Sequence, residues 1–228
     1  MEVCRSRFVS QLLSMPIISE LFQIESIQSI LKEEFKNNTR KWEQVSSESE
    51  DATIRDGYYW IKNKTKSRWN YYKTKTKLNQ KQDFMIESDF ELVEKDDAYG
   101  HFGLVWGFDE SREFVNRFTV SANGTRTLIM HFEKDHKRTF HRFHTRNAGK
   151  INLNQKIRLS IIKIGSYYHF LVNKKKIYIA HESMFCYNGP FIGYYIEPGL
   201  FVKSDYLEVK KMKTKPLLVK NGLDQILK

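Results

Sequence analysis

The chain is poor in the residues that make unusual folds. Its 228 residues include two cysteines, four prolines and eleven glycines. Cys4 and Cys186 lie far apart, one at the start and one deep in the chain, so a disulfide scaffold is not expected and free thiols fit a reducing compartment. So few prolines and glycines leave no collagen-like or linker-like tract. No run of about 18 apolar residues occurs, which removes a membrane-spanning helix. Near the N-terminus, Arg5 and Arg7 precede an apolar stretch broken by Gln11, Ser14, Pro16 and Glu20, a poor secretory signal. The expectation is a cytoplasmic protein. Ser/His/Asp nucleophile signatures and phosphate-cradling Gly-rich loops are missing as well.

What the chain does have is aromatics, at 14%, and positive charge, +11 from 38 Lys and Arg against 27 Asp and Glu. That aromatic content fills a sizeable core. The charge bears on solubility and on attraction of polyanions, not on fold. Composition also changes along the chain. Ile17, Leu21, Ile24, Ile27 and Leu31 recur at three- and four-residue intervals and predict an amphipathic helical arm over 1–34, able to dock another protein. From Trp42 onward, short β-rich runs alternate with turn signals such as Asp56-Gly57, Asn123-Gly124 and Gly165-Ser166. A short helical turn is expected over 182–186, and a basic tail over 211–228 holds a short C-terminal helix. About a dozen β-rich runs in one series predict an all-β fold, two stacked sheets in a sandwich or a barrel.

The segment from Asp83 to Phe108 carries the clearest pattern. Phe84, Ile86, Ser88, Phe90 and Leu92 share one side of a period-two ladder, while Met85, Glu87, Asp89, Glu91 and Val93 share the other. The first set is a core face. The second places three carboxylates in a row, either as a solvated face or as a site. A basic stretch, 62–81, has eight Lys and Arg and no acid. Lys62, Lys64 and Lys66 alternate, as do Lys73, Lys75 and Lys77, among Trp60, Trp69, Tyr71 and Tyr72. Two adjacent strands with lysine rows beside stacking rings would suit single-stranded nucleic acid or an acidic glycan. The alternative is a solvated strand pair balancing its acidic neighbour. His131, His136, His141 and His144 cluster, but their spacing and interleaved Arg and Lys favour a polar hairpin over a metal site. Trp106 in LVWGF is expected in the core. Tyr194 and Tyr195 face opposite ways, so no more than one can be exposed.

The order of these motifs, DFxIExxFxL, YGxFGLVWGF, FxxSxNG, IRLSIIKIGxYYHFLVN, GPFIGYYIEPG and SDYLEV, resembles the concanavalin A-like lectin/glucanase superfamily over roughly residues 35–210. Small jelly-roll modules of bacterial multidomain proteins are the nearest in kind. The pattern from Lys163 to Asn173 and the closing GYY and DYL pattern carry the likeness. It implies an all-β jelly-roll sandwich of two curved antiparallel sheets, often with glycan recognition on a concave face or at the loops, and the module read here takes a glycan or a protein surface as its ligand. Glu87, Asp89 and Glu91 match the E-x-D-x-E spacing of the laminarinase- and lichenase-like glycosidases. Those roles would be nucleophile, electrostatic partner and general acid, with two carboxyls about 5–5.5 Å apart. Ser88 departs from that pattern, where an aliphatic residue is usual. The resemblance also allows a Ca²⁺ held by oxygens such as those of Asp96, Asp97, Asp109 and Asn116. The functional expectation is a non-catalytic binding module, with Trp60, Trp69, Tyr71, Tyr72, Lys73 and Lys75 as ligand contacts. A polyanion-binding scaffold or a glycoside hydrolase are the other readings.

Overall fold

A computed structural model describes residues 22–96, 100–109, 114–133, 139–147, 150–185 and 189–216. The described residues divide into two compact units, 29–211 and a smaller one that combines 22–28 with 212–216. In the smaller unit, Lys213 Nζ lies 2.9 Å from Glu25 Oε2, and this pairing holds the Glu25 carboxyl below its ordinary range.

The strands are β1 (Phe22–Glu33), β2 (Val45–Ser46), β3 (Glu50–Arg55), β4 (Tyr58–Asn63), β5 (Asn70–Lys75), β6 (Phe84–Lys95), β7 (His101–Asp109), β8 (Phe114–Ser121), β9 (Arg126–Glu133), β10 (Thr139–Asn147), β11 (Ile157–Ile164), β12 (Tyr167–Val172), β13 (Lys175–His181), β14 (Phe191–Ile196) and β15 (Leu200–Pro216). One sheet runs β13-β12-β11-β6-β15-β4-β3-β2, with β1 pairing β15; the other runs β10-β9-β8-β7-β14-β5. The recorded registers within both sheets are antiparallel. The expected turn over 182–186 is a 3₁₀ turn at Glu182–Met184.

The expected helical arm is corrected over its described part. Phe22–Glu33 is a strand. Its three- and four-residue apolar spacing fits a helix, but Ile24, Ile27 and Ile30 are β-branched and suit a pleated surface, and a partner strand satisfies the backbone. Residues 1–21 and the C-terminal helix expected over 217–227 lie outside the described residues. β3 and β10 lie where turn and hairpin residues had hidden a strand pattern.

Alternation sorts side chains as the ladder requires. Phe84, Ile86 and Phe90 of β6, Ile157, Leu159 and Ile161 of β11, and Phe102, Leu104 and Trp106 of β7 are all fully buried and belong to one core between the sheets. Trp106 is a core residue, and both Tyr194 and Tyr195 are buried. Phe35, Trp42, Tyr59 and Tyr194 form an aromatic knot, with Trp42 stacked 5.3 Å from Tyr194. Ser88 faces this core and is hydrogen-bonded to Tyr194 Oη at 3.1 Å and Ser204 Oγ at 3.1 Å. A hydroxyl buried there must be paired, which accounts for a serine in an otherwise apolar row.

Gly193 serves a close approach. A Cβ at that position would sit 2.0 Å from the Tyr72 carbonyl oxygen on β5, where Gly193 pairs with Lys73. Only a residue without a side chain lets the two backbones meet.

Candidate functional site

The outward face of the β6 sheet is an ordered grid. Cross-strand partners align Arg55 with Tyr58, Thr53 with Trp60, and Asp51 with Lys62 on the β3–β4 hairpin. β15 continues these rows with Lys203 beside Trp60 and Phe201 beside Lys62. β6 follows with Glu94 opposite Phe201, Glu91 opposite Lys203, and Asp89 opposite Tyr206. β11 ends the grid, with Arg158 opposite Asp89 and Ser160 opposite Glu87.

A bulge in β15 shapes the centre of this face. Three residues of β6, from Glu91 to Asp89, are matched by four of β15, from Lys203 to Tyr206. Val202 lies in the core before the bulge and Leu207 after it. The extra residue turns Asp205 and Tyr206 to the same outward side, where strict alternation would have separated them. Both then line an open cavity of about 500 Å³ with Tyr58, Gly57, Glu34, Lys36, Asp89 and Arg158.

Glu87, Asp89 and Glu91 do lie together on the outward face, but each is already engaged. Asp89 receives two hydrogen bonds of 2.6 Å from Arg158 Nε and Nη2. This is a bidentate, charge-assisted pair. The Asp89 bond, with the Glu87 and Asp89 charges, raises the Arg158 pKa against the effect of burial. Glu91 is 3.0 Å from Lys203 Nζ and 3.9 Å from Lys156 Nζ. Glu87 accepts from Ser160 Oγ at 3.3 Å and Tyr206 Oη at 3.4 Å. Tyr206 also donates to Glu208. Burial is the main cause that pushes the Tyr206 phenol up, with Glu208 adding to it. Glu87 and Asp89 are only 7% and 6% exposed. Asp89 borders the cavity only through its pair with Arg158, and Glu87 packs beneath a layer of long polar side chains.

The cavity is charge-balanced. Lys36 pairs with Glu34 at 2.6 Å, Arg158 with Asp89, and Lys156 with Asp205 Oδ2 at 2.5 Å. Burial pulls the Lys156 pKa down, yet Asp205 more than offsets it and the net shift is upward. The other Asp205 oxygen, Oδ1, is buried without a hydrogen-bond partner among the described residues. Arg158 also lies 5.3 Å from the Tyr206 ring centroid.

The ring-and-lysine residues of 62–81 do not form one surface. β4 pairs with β3 and β15, whereas β5 belongs to the other sheet beside β14. The expected pair of adjacent lysine rows is therefore corrected: the rows ride on different sheets. Lys62 is bound to Glu94 at 2.6 Å and Lys64 to Asp51 at 2.6 Å. Trp60 lies on the grid described above. Tyr72 is in the core and donates to Glu50 at 2.6 Å. Tyr71 faces outward on the β5 sheet against Tyr195 and Phe108. Lys73 and Lys75 lie over Phe108 and Phe191, and Arg117 lies over Trp69. Trp69 is 42% exposed. Among the described residues, no group of three His, Cys, Asp or Glu is placed to hold a metal ion. Asn116 lies buried in β8, Asp97 lies outside the described residues, and nothing is described of the side chains of the four clustered histidines. β9 and β10 do pair as a hairpin there, with His131 opposite His141. No described helix is long and apolar enough to cross a membrane.

Sequence reasoning missed Arg158, Asp205, Tyr206 and Tyr58. The first could have been read from period-two alternation once β6 and β11 were known to pair. The bulge leaves no mark in SDYL.

Two sheets, with this strand order and an E-x-D-x-E row on the outward face of β6, can be compared with solved structures. A protein of unknown function with a galectin-like fold from Bacillus subtilis has a TM-score of 0.61 at 11% identity, covering 84% of this chain and 98% of that one. The fold is concanavalin A-like. The endo-β-1,3-glucanase of Pyrococcus furiosus has a TM-score of 0.58 at 11% identity, covering 86% of this chain and 99% of the glucanase. A CBM2 module of an evolved Dit from Lactobacillus casei BL23 phage J-1 has a TM-score of 0.54 at 9% identity, covering 82% and 96%. No family model and no curated protein matches the sequence. The concanavalin A-like body thus has glucanases, a galectin-like protein and a CBM2 module among its structural neighbours. Likeness at this identity concerns the fold and leaves activity to the site.

Proposed function

We propose that this protein is a non-catalytic glycan-binding module, and that the cavity between Tyr58 and Tyr206 is its sugar site. The observation that carries this reading is the commitment of the E-x-D-x-E carboxylates to cations and hydroxyls, beside a cavity of sugar size. A retaining glycosidase needs one free carboxylate aimed at the anomeric carbon and one proton-bearing carboxyl at the leaving oxygen. Here Asp89 is clamped by Arg158, and Glu91 lies against two lysines. That arrangement supports a structural role for the row. The cavity instead offers what sugar recognition uses: ring faces and fixed polar groups. Tyr206 and Tyr58 supply rings, and Arg158 is held in place by Asp89.

The glucanase and CBM2 neighbours support testing β-glucan oligosaccharides first. Calorimetric titration of laminarihexaose should show binding that weakens about tenfold in Tyr206→Ala. Reducing-end assays on laminarin should show no release. Release by the wild type that disappears in Glu87→Gln would overturn the reading in favour of the hydrolase.

A further inference from the structure

A second cavity lies on the same face, lined by Val45, Ser46, Asp51, Thr53, Arg55, Trp60, Lys62 and Phe201, with a volume of about 420 Å³. Its aromatic wall is Trp60 against Phe201, with ring centroids 5.7 Å apart. The two cavities meet at neighbouring rings. Tyr58, in the wall of the first, is 5.9 Å from Trp60 in the second. Lys203 bridges them, its ammonium 4.2 Å from the Tyr58 ring and 5.1 Å from Trp60.

The two differ in charge. Every ionised side chain lining the first has an opposite partner. In the second, Asp51 is taken by Lys64, which hydrogen-bonds it and with Ser46 lowers its pKa. Lys62 is taken by Glu94. Arg55 has no carboxylate partner among the described residues. Its guanidinium lies over the Trp60 ring at 5.0 Å, while the Arg55 carbonyl accepts a 3.2 Å hydrogen bond from Trp60 Nε1. Ring and cation are thereby held together on one hairpin. A guanidinium presents a planar fork of donors that matches a carboxylate or sulfate. Stacking on tryptophan restrains that fork and leaves its edge available.

We infer that the second cavity is a subsite for an acidic sugar, so that the module takes an anionic oligosaccharide. An uncharged residue would sit at Tyr58 and Tyr206, and a uronate or sulfate-bearing residue at Trp60 and Arg55. This rests on the glycan-binding reading above and adds the charge of the ligand to it. The aromatic walls supply the contact with sugar faces, and Arg55 selects the anion. One guanidinium–anion contact at a half-open site gives roughly a tenfold preference.

The test uses the full chain and three probes in calorimetric titrations at fixed salt: laminaritetraose, tetragalacturonate and a heparin-derived tetrasaccharide. At least one anionic probe should bind about tenfold more tightly than the neutral one. Which one it is separates carboxylate from sulfate recognition. Arg55→Gln, at an exposed position on the strand end, should remove that preference while laminaritetraose affinity and the melting temperature stay unchanged. Arg55→Lys should recover only part of it. Equal binding of neutral and anionic probes, or anionic binding indifferent to Arg55→Gln, would overturn the acidic subsite and leave the glycan-binding reading standing. Failure of all three probes to bind would overturn both. Arg55-dependent binding of a single-stranded oligonucleotide without binding of either anionic sugar would also refute it.

Discussion

Replacing Arg158 with methionine keeps an unbranched stem on β11 and removes the charge that holds Asp89. Two 2.6 Å charge-assisted hydrogen bonds are lost, and Asp89, with a side chain only 9% exposed, is left charged. Breaking a buried pair by removing one partner costs about 3–5 kcal/mol. The Arg158 side chain is itself 34% exposed, so water screens the pair and the expected loss falls to about 2–4 kcal/mol. For a chain of this length that is roughly 5–15 °C in melting temperature. The double variant Asp89→Asn with Arg158→Met no longer strands a charge and should recover at least half of the loss. Urea unfolding at neutral pH, with all four members of the cycle, reads the coupling directly. A single-variant loss under about 0.5 kcal/mol would refute the reasoning. The pair would then be loose, and the Asp89 carboxylate available for other work.

Three further outcomes are expected. His169, buried on β12, is held down to about 4, first by burial and then by Lys176. The native state therefore binds fewer protons than the unfolded chain between pH 6.5 and 4, and stability falls as pH drops through that window. The full shift corresponds to about 2 kcal/mol lost between pH 7 and 5, cut to about 1 by residual solvent contact. His169→Phe should flatten the urea-unfolding profile over that range; an unchanged slope would count against the account. Gly193→Ala forces a Cβ onto the Tyr72 carbonyl and should cost about 2–4 kcal/mol, with lost amide protection in β5; near-neutral stability would contradict the close approach. Trp106→Ala, which empties a fully buried site, should cost about 3–5 kcal/mol in the same unfolding assay. A loss below about 1 kcal/mol would show that the core closes over it.

Much of the sandwich was legible because period-two alternation and turn chemistry act locally. The β-rich runs between turn signals form strands at Tyr58–Asn63, Phe114–Ser121, Ile157–Ile164, Tyr167–Val172 and Phe191–Ile196. Asn123-Gly124 and Gly165-Ser166 join strands that pair in register. Phe22–Glu33 misled because its apolar residues recur at helical spacing, and only pairing with a neighbouring strand overrides that period. The lysine rows misled for a related reason: sequence adjacency of β4 and β5 does not make them neighbours in a sheet.

The candidate site divides along the same line. Alternation alone put Glu87, Asp89 and Glu91 on one face and Phe84, Ile86 and Phe90 on the other, since side-chain direction follows from the backbone of a single strand. Which cations meet those carboxylates depends on β11 and β15 arriving from residues far along the chain. The turn of Asp205 and Tyr206 to the same side depends on one unmatched residue between paired strands. Local pattern therefore determines which face each side chain takes. Long-range pairing decides its neighbours, and with them the contrast between a charge-balanced cavity and one lined by Arg55, which has no carboxylate partner among the described residues.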